Sequence, residues 1–185
     1  MRSNLLIVDD FYRDPDVVRE FAMQQEFKEQ GNYPGFRTDA FLDEGTRETI
    51  QHFIYPHGGQ VTEWNDRAGL TGSFQICTAD ERSWIHTDHF NTWAGVLYLT
   101  PNPPVNGGTI LYRYKEGQQM YEHQLPDYNY ESQDMTKWDR VDTIGNLYNR
   151  LVMYRSDIFH MNDQYFGKDL NDGRLFQLFF ITTEF

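Results

Sequence analysis

Cysteine is nearly absent from this chain: Cys77 is the one thiol in 185 residues. That excludes an internal disulfide framework and any thiolate zinc cluster. Set in Phe74-Gln75-Ile76-Cys77, the thiol reads as a buried structural group rather than a nucleophile. Basic residues are also scarce, with 16 Lys and Arg against 28 Asp and Glu, a formal net charge of −12 and a pI near 4.8. Such a surface repels phosphate backbones and no Lys/Arg cluster interrupts it, so a nucleic-acid partner is not expected. No apolar run approaches membrane-spanning length. The segment from Met1 to Phe11 has one Arg and a short apolar run ending in Asp9-Asp10, too short and too acidic for a secretory signal. No membrane partner is therefore expected, and the expected location is the reducing cytoplasm. The chain has no internal repeat or low-complexity tract, and nothing in it reports an oligomeric state.

Aromatic residues, by contrast, are abundant. Twelve Tyr and 14 Phe help bring the aromatic content to 16%, which favours a β-rich interior over a helical bundle. The length suits a single domain over 1–185 with a full core. Leu5 to Val8 reads as a first strand. Asp14 then looks like an N-cap with Pro15 at the first helical position, and Val17, Val18, Phe21 and Ala22 recur at helical spacing to about Phe27. Gly31 to Phe36 is a loop on turn chemistry. A second helix begins near Asp43 or Thr46, turns Ile50, Phe53 and Ile54 inward, and ends at Pro56 to Gly59. From about Gln60 the pattern changes to short apolar runs separated by Gly, Pro, Asn and Asp. Expected strands are Gly72–Cys77, Ser83–Thr87, Ala94–Leu99, Thr109–Tyr114, Asn149–Met153 and Leu175–Thr182. The fold class is mainly β with N-terminal helices: a helical support over 1–60 on a double-stranded β-helix, or jelly roll, over 61–185. A polar insertion at about 115–145, carrying Tyr121, Tyr128, Tyr130 and Trp138, reads either as a lid over a site or as a solvent-exposed excursion with no role.

The residues that point to a chemistry are His86-Thr87-Asp88, then His160, then Arg174. Two histidines and one carboxylate form the facial set that holds non-haem Fe(II) with positions left open. His-x-Asp alone is a common chance match. On a strand, however, residues i and i+2 share a face, so His86 and Asp88 can address one metal while Thr87 points away. His160 ends the apolar run that starts at Arg150. Taken alone, such a histidine is more often a hydrogen-bonded core residue than a ligand. Arg174 opens Leu175-Phe176-Gln177-Leu178-Phe179-Phe180-Ile181, and a guanidinium at the head of a buried strand needs a counter-charge or a bound anion. His52, His57, His89 and His123 are expected at the surface or in supporting roles.

In this order, and with Gly107-Gly108-Thr109 following Val96-Leu97-Tyr98-Leu99, the motifs resemble the Fe(II)/2-oxoglutarate-dependent dioxygenases. The similarity is greatest to their prolyl-4-hydroxylase-like branch, of the small bacterial or phage type. The resemblance covers roughly Gly72 to Thr182, and Val8-Asp9-Asp10-Phe11 plus the first helix adds to it. It implies His86, Asp88 and His160 as iron ligands and catalytic centre. It implies that Arg174 binds the distal carboxylate of 2-oxoglutarate with help from the Thr109 hydroxyl, and that Tyr98 or Gln75 replaces a co-substrate tyrosine that has no match near Cys77. The family often places serine two residues after the basic position, where this chain has Phe176, and its hydroxylases often have lysine where this chain has Arg174. The implied activity consumes 2-oxoglutarate and O2, releases succinate and CO2, and hydroxylates a peptidyl or small-molecule substrate. Asp88 counts against halogenation, because a halide would need the position its carboxylate fills.

Two other readings compete. One is a non-catalytic jelly-roll module binding a carbohydrate or anionic ligand, for which the aromatic content speaks. The other keeps the iron but acts on a nucleic-acid base, against which the charge speaks. Substrate contacts are expected from the 115–145 insertion and from Tyr33-Pro34-Gly35-Phe36-Arg37. For Arg37 the expected role is a surface salt bridge, and the alternative is reading an acidic group.

Overall fold

The computed structural model describes residues 3–67, 69–124 and 132–185. Strand β1 (Leu5–Val8) leads to helix α1 (Pro15–Met23), started by the Asp14 side chain, which accepts the Val17 N–H, and by Pro15. Strand β2 (Phe36–Ala40) precedes α2 (Glu44–Gly58). There the Asp43 carboxylate accepts the Thr46 N–H at 2.9 Å and the Thr46 hydroxyl at 2.6 Å. The remaining strands are β3 (Gln60–Trp64), β4 (Ser73–Cys77), β5 (Trp93–Tyr98), β6 (Thr109–Tyr114), β7 (Trp138–Ile144), β8 (Leu151–Arg155), β9 (His160–Asn162) and β10 (Arg174–Glu184).

All pairings are antiparallel. The larger sheet runs β1-β8-β5-β10-β4-β2, with β3 beside the second half of β10; the smaller runs β7-β6-β9. This is the double-stranded β-helix that the strand pattern predicts. Strand β10 shows how its layers form. Leu175, Phe179 and Ile181 pack with Ala22, Ile50 and Ile54 of the helices. Phe176, Leu178 and Phe180 turn the other way, into the interior shared with Leu111 and Ile144. Both faces are covered, so the strand reads as one continuous apolar run. Arg174, at the same parity as Phe176, is delivered to the interior face.

Several elements differ from the sequence expectation. Ser83–Thr87 is irregular and makes only an isolated bridge, at His86. Strands β2, β3 and β7 form where none was expected. Their sequences, FRTDA, QVTEW and WDRVDTI, are mostly polar because much of each is partly or wholly exposed, which dilutes the apolar alternation. The first helix stops at Met23 rather than near Phe27. The apolar run from Arg150 to His160 is two strands: the chain leaves the larger sheet after Arg155 and enters the smaller one at His160. Within the 115–145 insertion, Trp138 packs edge-on against Phe159 at 4.9 Å and Tyr121 bridges to Ile158, so both brace the turn before His160. Tyr128 and Tyr130 lie outside the described residues. Among the described residues no helix is long and apolar enough to cross a membrane.

Phe179 has no exposed surface and sits where β10 meets the helices. The Phe179→Ala variant is expected to lose about 3–5 kcal/mol of stability. Urea denaturation should show this as a lower midpoint at unchanged slope.

Candidate metal centre

Backbone pairing brings the candidate ligands together. The His86 N–H donates to the His160 carbonyl at 3.0 Å, and the His160 N–H donates back to the His86 carbonyl at 2.9 Å. Residues that exchange both hydrogen bonds in an antiparallel pair project their side chains to the same face. The two imidazole centroids accordingly lie 4.4 Å apart. Asp88, two residues on, is held by its N–H to the Ser156 carbonyl at 2.7 Å. The ligand atoms of His86, Asp88 and His160 fall within 4.8 Å of one another, a group able to hold a metal ion.

The donor atoms suit such an ion. His86 Nδ1 lies 2.9 Å from the Trp84 carbonyl and His160 Nδ1 lies 2.8 Å from the Ile158 carbonyl. A carbonyl only accepts, so each Nδ1 carries a proton and each Nε2 is the atom free to ligate. His160 Nε2 then stands 3.2 Å from Asp88 Oδ2, two electron-rich atoms that need a positive centre between them. Burial, with the neighbouring His160, pushes His86 down to about 4, which keeps its imidazole neutral. For Asp88 burial opposes ionisation, but its polar neighbours, His160 first and then His86 and Arg37, outweigh it and hold the carboxyl below its usual range. Two imidazoles presenting Nε2 and one carboxylate, all from one side, leave coordination positions open to a cavity.

That cavity is lined by the three ligands together with Arg174, Thr109 and Phe176. Arg174 is 3% exposed; its Nε donates to the Gly107 carbonyl at 2.7 Å. Its guanidinium carbon sits 4.3 Å from the Phe176 ring centroid and 5.3 Å from that of Tyr98. Phe176, two residues after Arg174, is therefore a stacking surface for this cation. No carboxylate pairs with Arg174 among the described residues. Thr109 and Tyr98 share a hydrogen bond of 2.7 Å beside it. Gln75 is committed elsewhere, donating to the Pro34 carbonyl and accepting from Arg37.

Sequence reading missed several of the walls. Asn162 shares the face of His160 at spacing i+2 on β9, and alternation alone would have found it. Trp84, two residues before His86, carries the same signal, whereas Tyr154 and Tyr165 do not. The other histidines stand apart: His89 pairs with Glu122 at 2.9 Å, His123 faces Asp157 at 3.6 Å, His57 meets the Ser3 hydroxyl, and His52 is exposed.

A histidine that titrates near 4 when folded and near 6.5 when unfolded makes the unfolded chain the better proton binder between those values. Stability from the neutral His86 is thus fully present above about 6.5 and lost as the pH falls toward 4. The thermal midpoint of the metal-free protein is expected to climb across that window, and the profile of His86→Gln to be flatter.

Comparison with known proteins adds the following. The chain matches the model of DUF6445, a family of unknown function, over residues 1–181. No curated protein matches it. Among solved structures, HygX from Streptomyces hygroscopicus, with nickel and 2-oxoglutarate bound, superposes at a TM-score of 0.66 and 10% identity, covering 99% of this chain and 84% of that one. A second HygX structure also holds hygromycin B and gives a TM-score of 0.65 at 11% identity, with the same coverage of 99% and 84%. A prolyl-4-hydroxylase from Pseudomonas putida gives a TM-score of 0.50 at 14% identity, over 98% of this chain and 94% of that one. At such identities the likeness establishes a shared fold, the jelly roll, while the match along nearly the whole sequence establishes kinship: the chain belongs to the DUF6445 family.

Proposed function

We propose that this protein is an Fe(II)- and 2-oxoglutarate-dependent oxygenase that hydroxylates a small-molecule or peptidyl substrate and releases succinate and CO2. The observation that carries the reading is one cavity holding a two-histidine, one-carboxylate donor set beside the buried Arg174 guanidinium, with which no carboxylate among the described residues pairs. The fold shared with HygX, which binds nickel and 2-oxoglutarate, supports it.

In this reading His86, Asp88 and His160 hold the iron, and Arg174 grips the distal carboxylate of 2-oxoglutarate. When bound, iron and 2-oxoglutarate supply the oxidising chemistry with O2. The chain's part is orientation and exclusion of water. The Trp84 and Ile158 carbonyls hold both imidazoles with Nε2 inward. Arg174, fixed through Nε and laid on Phe176 and Tyr98, keeps its outer nitrogens as a fork suited to a carboxylate. The Tyr98–Thr109 pair shares one hydroxyl proton between two oxygens, so the other proton is free to donate to the same anion. Burial raises Tyr98, against the opposing pull of Arg174 and Thr109, so it serves as a neutral phenol. Val96, Phe176, Leu178 and Phe180 make the apolar wall that keeps the pocket poor in water. A HygX structure holds hygromycin B, and a Trichoplax adhaerens prolyl hydroxylase of TM-score 0.50 holds a peptide fragment, so a small molecule and a peptide both fit this architecture.

Succinate formation from 2-oxoglutarate in the presence of Fe(II) and O2 is the test. The Asp88→Ala variant is expected to abolish it, and turnover that survives the change unaltered would sink the assignment. Arg174→Gln is expected to weaken 2-oxoglutarate binding about ten- to a hundred-fold, the scale of a lost charge-assisted contact. Titration calorimetry on the Mn(II)-loaded protein measures this without turnover.

A further inference from the structure

A second guanidinium lines the same cavity, and the chemistry proposed above does not use it. Sequence reasoning favours a surface salt bridge for Arg37. The structure instead leaves it 8% exposed on β2, in register with Gln75 of β4. Its Nε donates to Gln75 Oε1 at 2.7 Å and its Nη1 to the Gly69 carbonyl at 2.6 Å. The Gln75 amide is anchored in turn by the Pro34 carbonyl at 2.6 Å. The Tyr33 ring closes over the guanidinium, 3.5 Å from its carbon. Every one of these partners is neutral, and Arg37 has no ion pair among the described residues. The third nitrogen, Nη2, has no protein acceptor there and is not sealed in the core with the unpartnered buried atoms. Arg37 belongs to the wall of the metal cavity.

A buried cation without a counter-charge is costly, and neutral contacts that hold it rigid do not remove the cost. Asp88 and Arg37 favour each other's charged forms across the cavity, but they make no ion pair, and that carboxylate faces His160 in the ligand group. Nor does Arg37 duplicate Arg174. Along the interior face the register runs Arg37, Gln75, Phe176, Tyr98. The backbones of β2 and β10 are thus two strand spacings apart, about 10 Å. The two cations have separate anchors, Gln75 and Gly69 for one and Gly107 for the other. Charge gives the same answer. A divalent metal, Asp88, a dicarboxylate co-substrate and Arg174 cancel, and Arg37 remains as one unbalanced positive charge in the cavity wall.

We infer that Arg37 reads a carboxylate on the primary substrate, so the substrate is a small organic acid or a residue bearing an acidic group. This rests on the oxygenase reading, because that reading assigns Arg174 to the co-substrate. With Nε and one N–H of Nη1 committed, the fork that remains is Nη2 with the second N–H of Nη1, held against the Tyr33 ring; a carboxylate offers it two charged acceptor oxygens, which an uncharged amide cannot supply.

The test uses the full chain loaded with Mn(II) and 2-oxoglutarate, and titration calorimetry with a panel of acids and their matched primary amides. Benzoate, phenylacetate and hippurate stand for free acids, and the N-acetyl amides of aspartate and glutamate for acidic residues. At least one acid is expected to bind ten-fold or more tightly than its amide. Arg37→Gln should bring that acid down to the level of the amide while the 2-oxoglutarate affinity stays within two-fold. Whichever arm binds identifies the source of the carboxylate. The inference is overturned if no acid on the panel outbinds its amide, or if Arg37→Gln weakens 2-oxoglutarate as much as Arg174→Gln does. The acid–amide comparison on the unaltered protein, with Arg37→Lys as a variant that keeps charge and loses the fork, decides the matter even where Arg37→Gln does not fold. Failure of Mn(II) and 2-oxoglutarate to bind the unaltered protein would instead refute the oxygenase reading itself.

Discussion

The reciprocal backbone hydrogen bonds between His86 and His160 are the constraint on which the site depends. They join an irregular segment to β9, and through β9 to the smaller sheet, so the two rings share one face by strand geometry rather than by side-chain packing. The remaining order follows from that pair. Asp88 falls on the same side at i+2 and is pinned to Ser156, which sits in the turn where the chain changes sheets. The imidazole protons go to carbonyls within the ligands' own segments, so ring orientation is set locally at each histidine.

Core and cavity are two faces of the same strand. Leu175, Phe179 and Ile181 tie β10 to the helices, while Arg174, Phe176, Leu178 and Phe180 line the cavity. Polar groups placed on a strand this well buried have little freedom to drift, which is what recognition of a carboxylate by a fixed fork requires. The same logic reaches β2 and β4. Gln75 is at once a rung of the sheet, an anchor for Arg37 and a tether for the turn at Pro34.

How much of this was legible in the sequence depended on how local the signal was. Caps at Asp14 and Asp43, helical spacing in α1 and α2, and the jelly-roll class follow from short-range chemistry and could be read directly. His86, Asp88, His160 and Arg174 could be singled out by residue type and order, and the structure brings all four to one cavity. The reason given for the first pair, a regular strand over Ser83–Thr87, does not hold; one bridge does the work of a strand. Strands β2, β3 and β7 were hidden because exposed positions need not be apolar. Arg37 was misplaced for a related reason: a guanidinium beside Tyr33-Pro34-Gly35 looks like a surface residue until Gly69 and Gln75, more than thirty positions on, are known to enclose it.

The central claim is that His86, Asp88 and His160 present a metal to a 2-oxoglutarate held by Arg174 in one cavity. The visible absorption spectrum under strict exclusion of oxygen tests it most directly, since chelation of Fe(II) by the keto acid gives a charge-transfer band that neither component gives alone. The account predicts that the band develops when both are added to the unaltered protein and is lost in Asp88→Ala. Tight binding of 2-oxoglutarate with no band, or a band of full strength in Asp88→Ala, would contradict it.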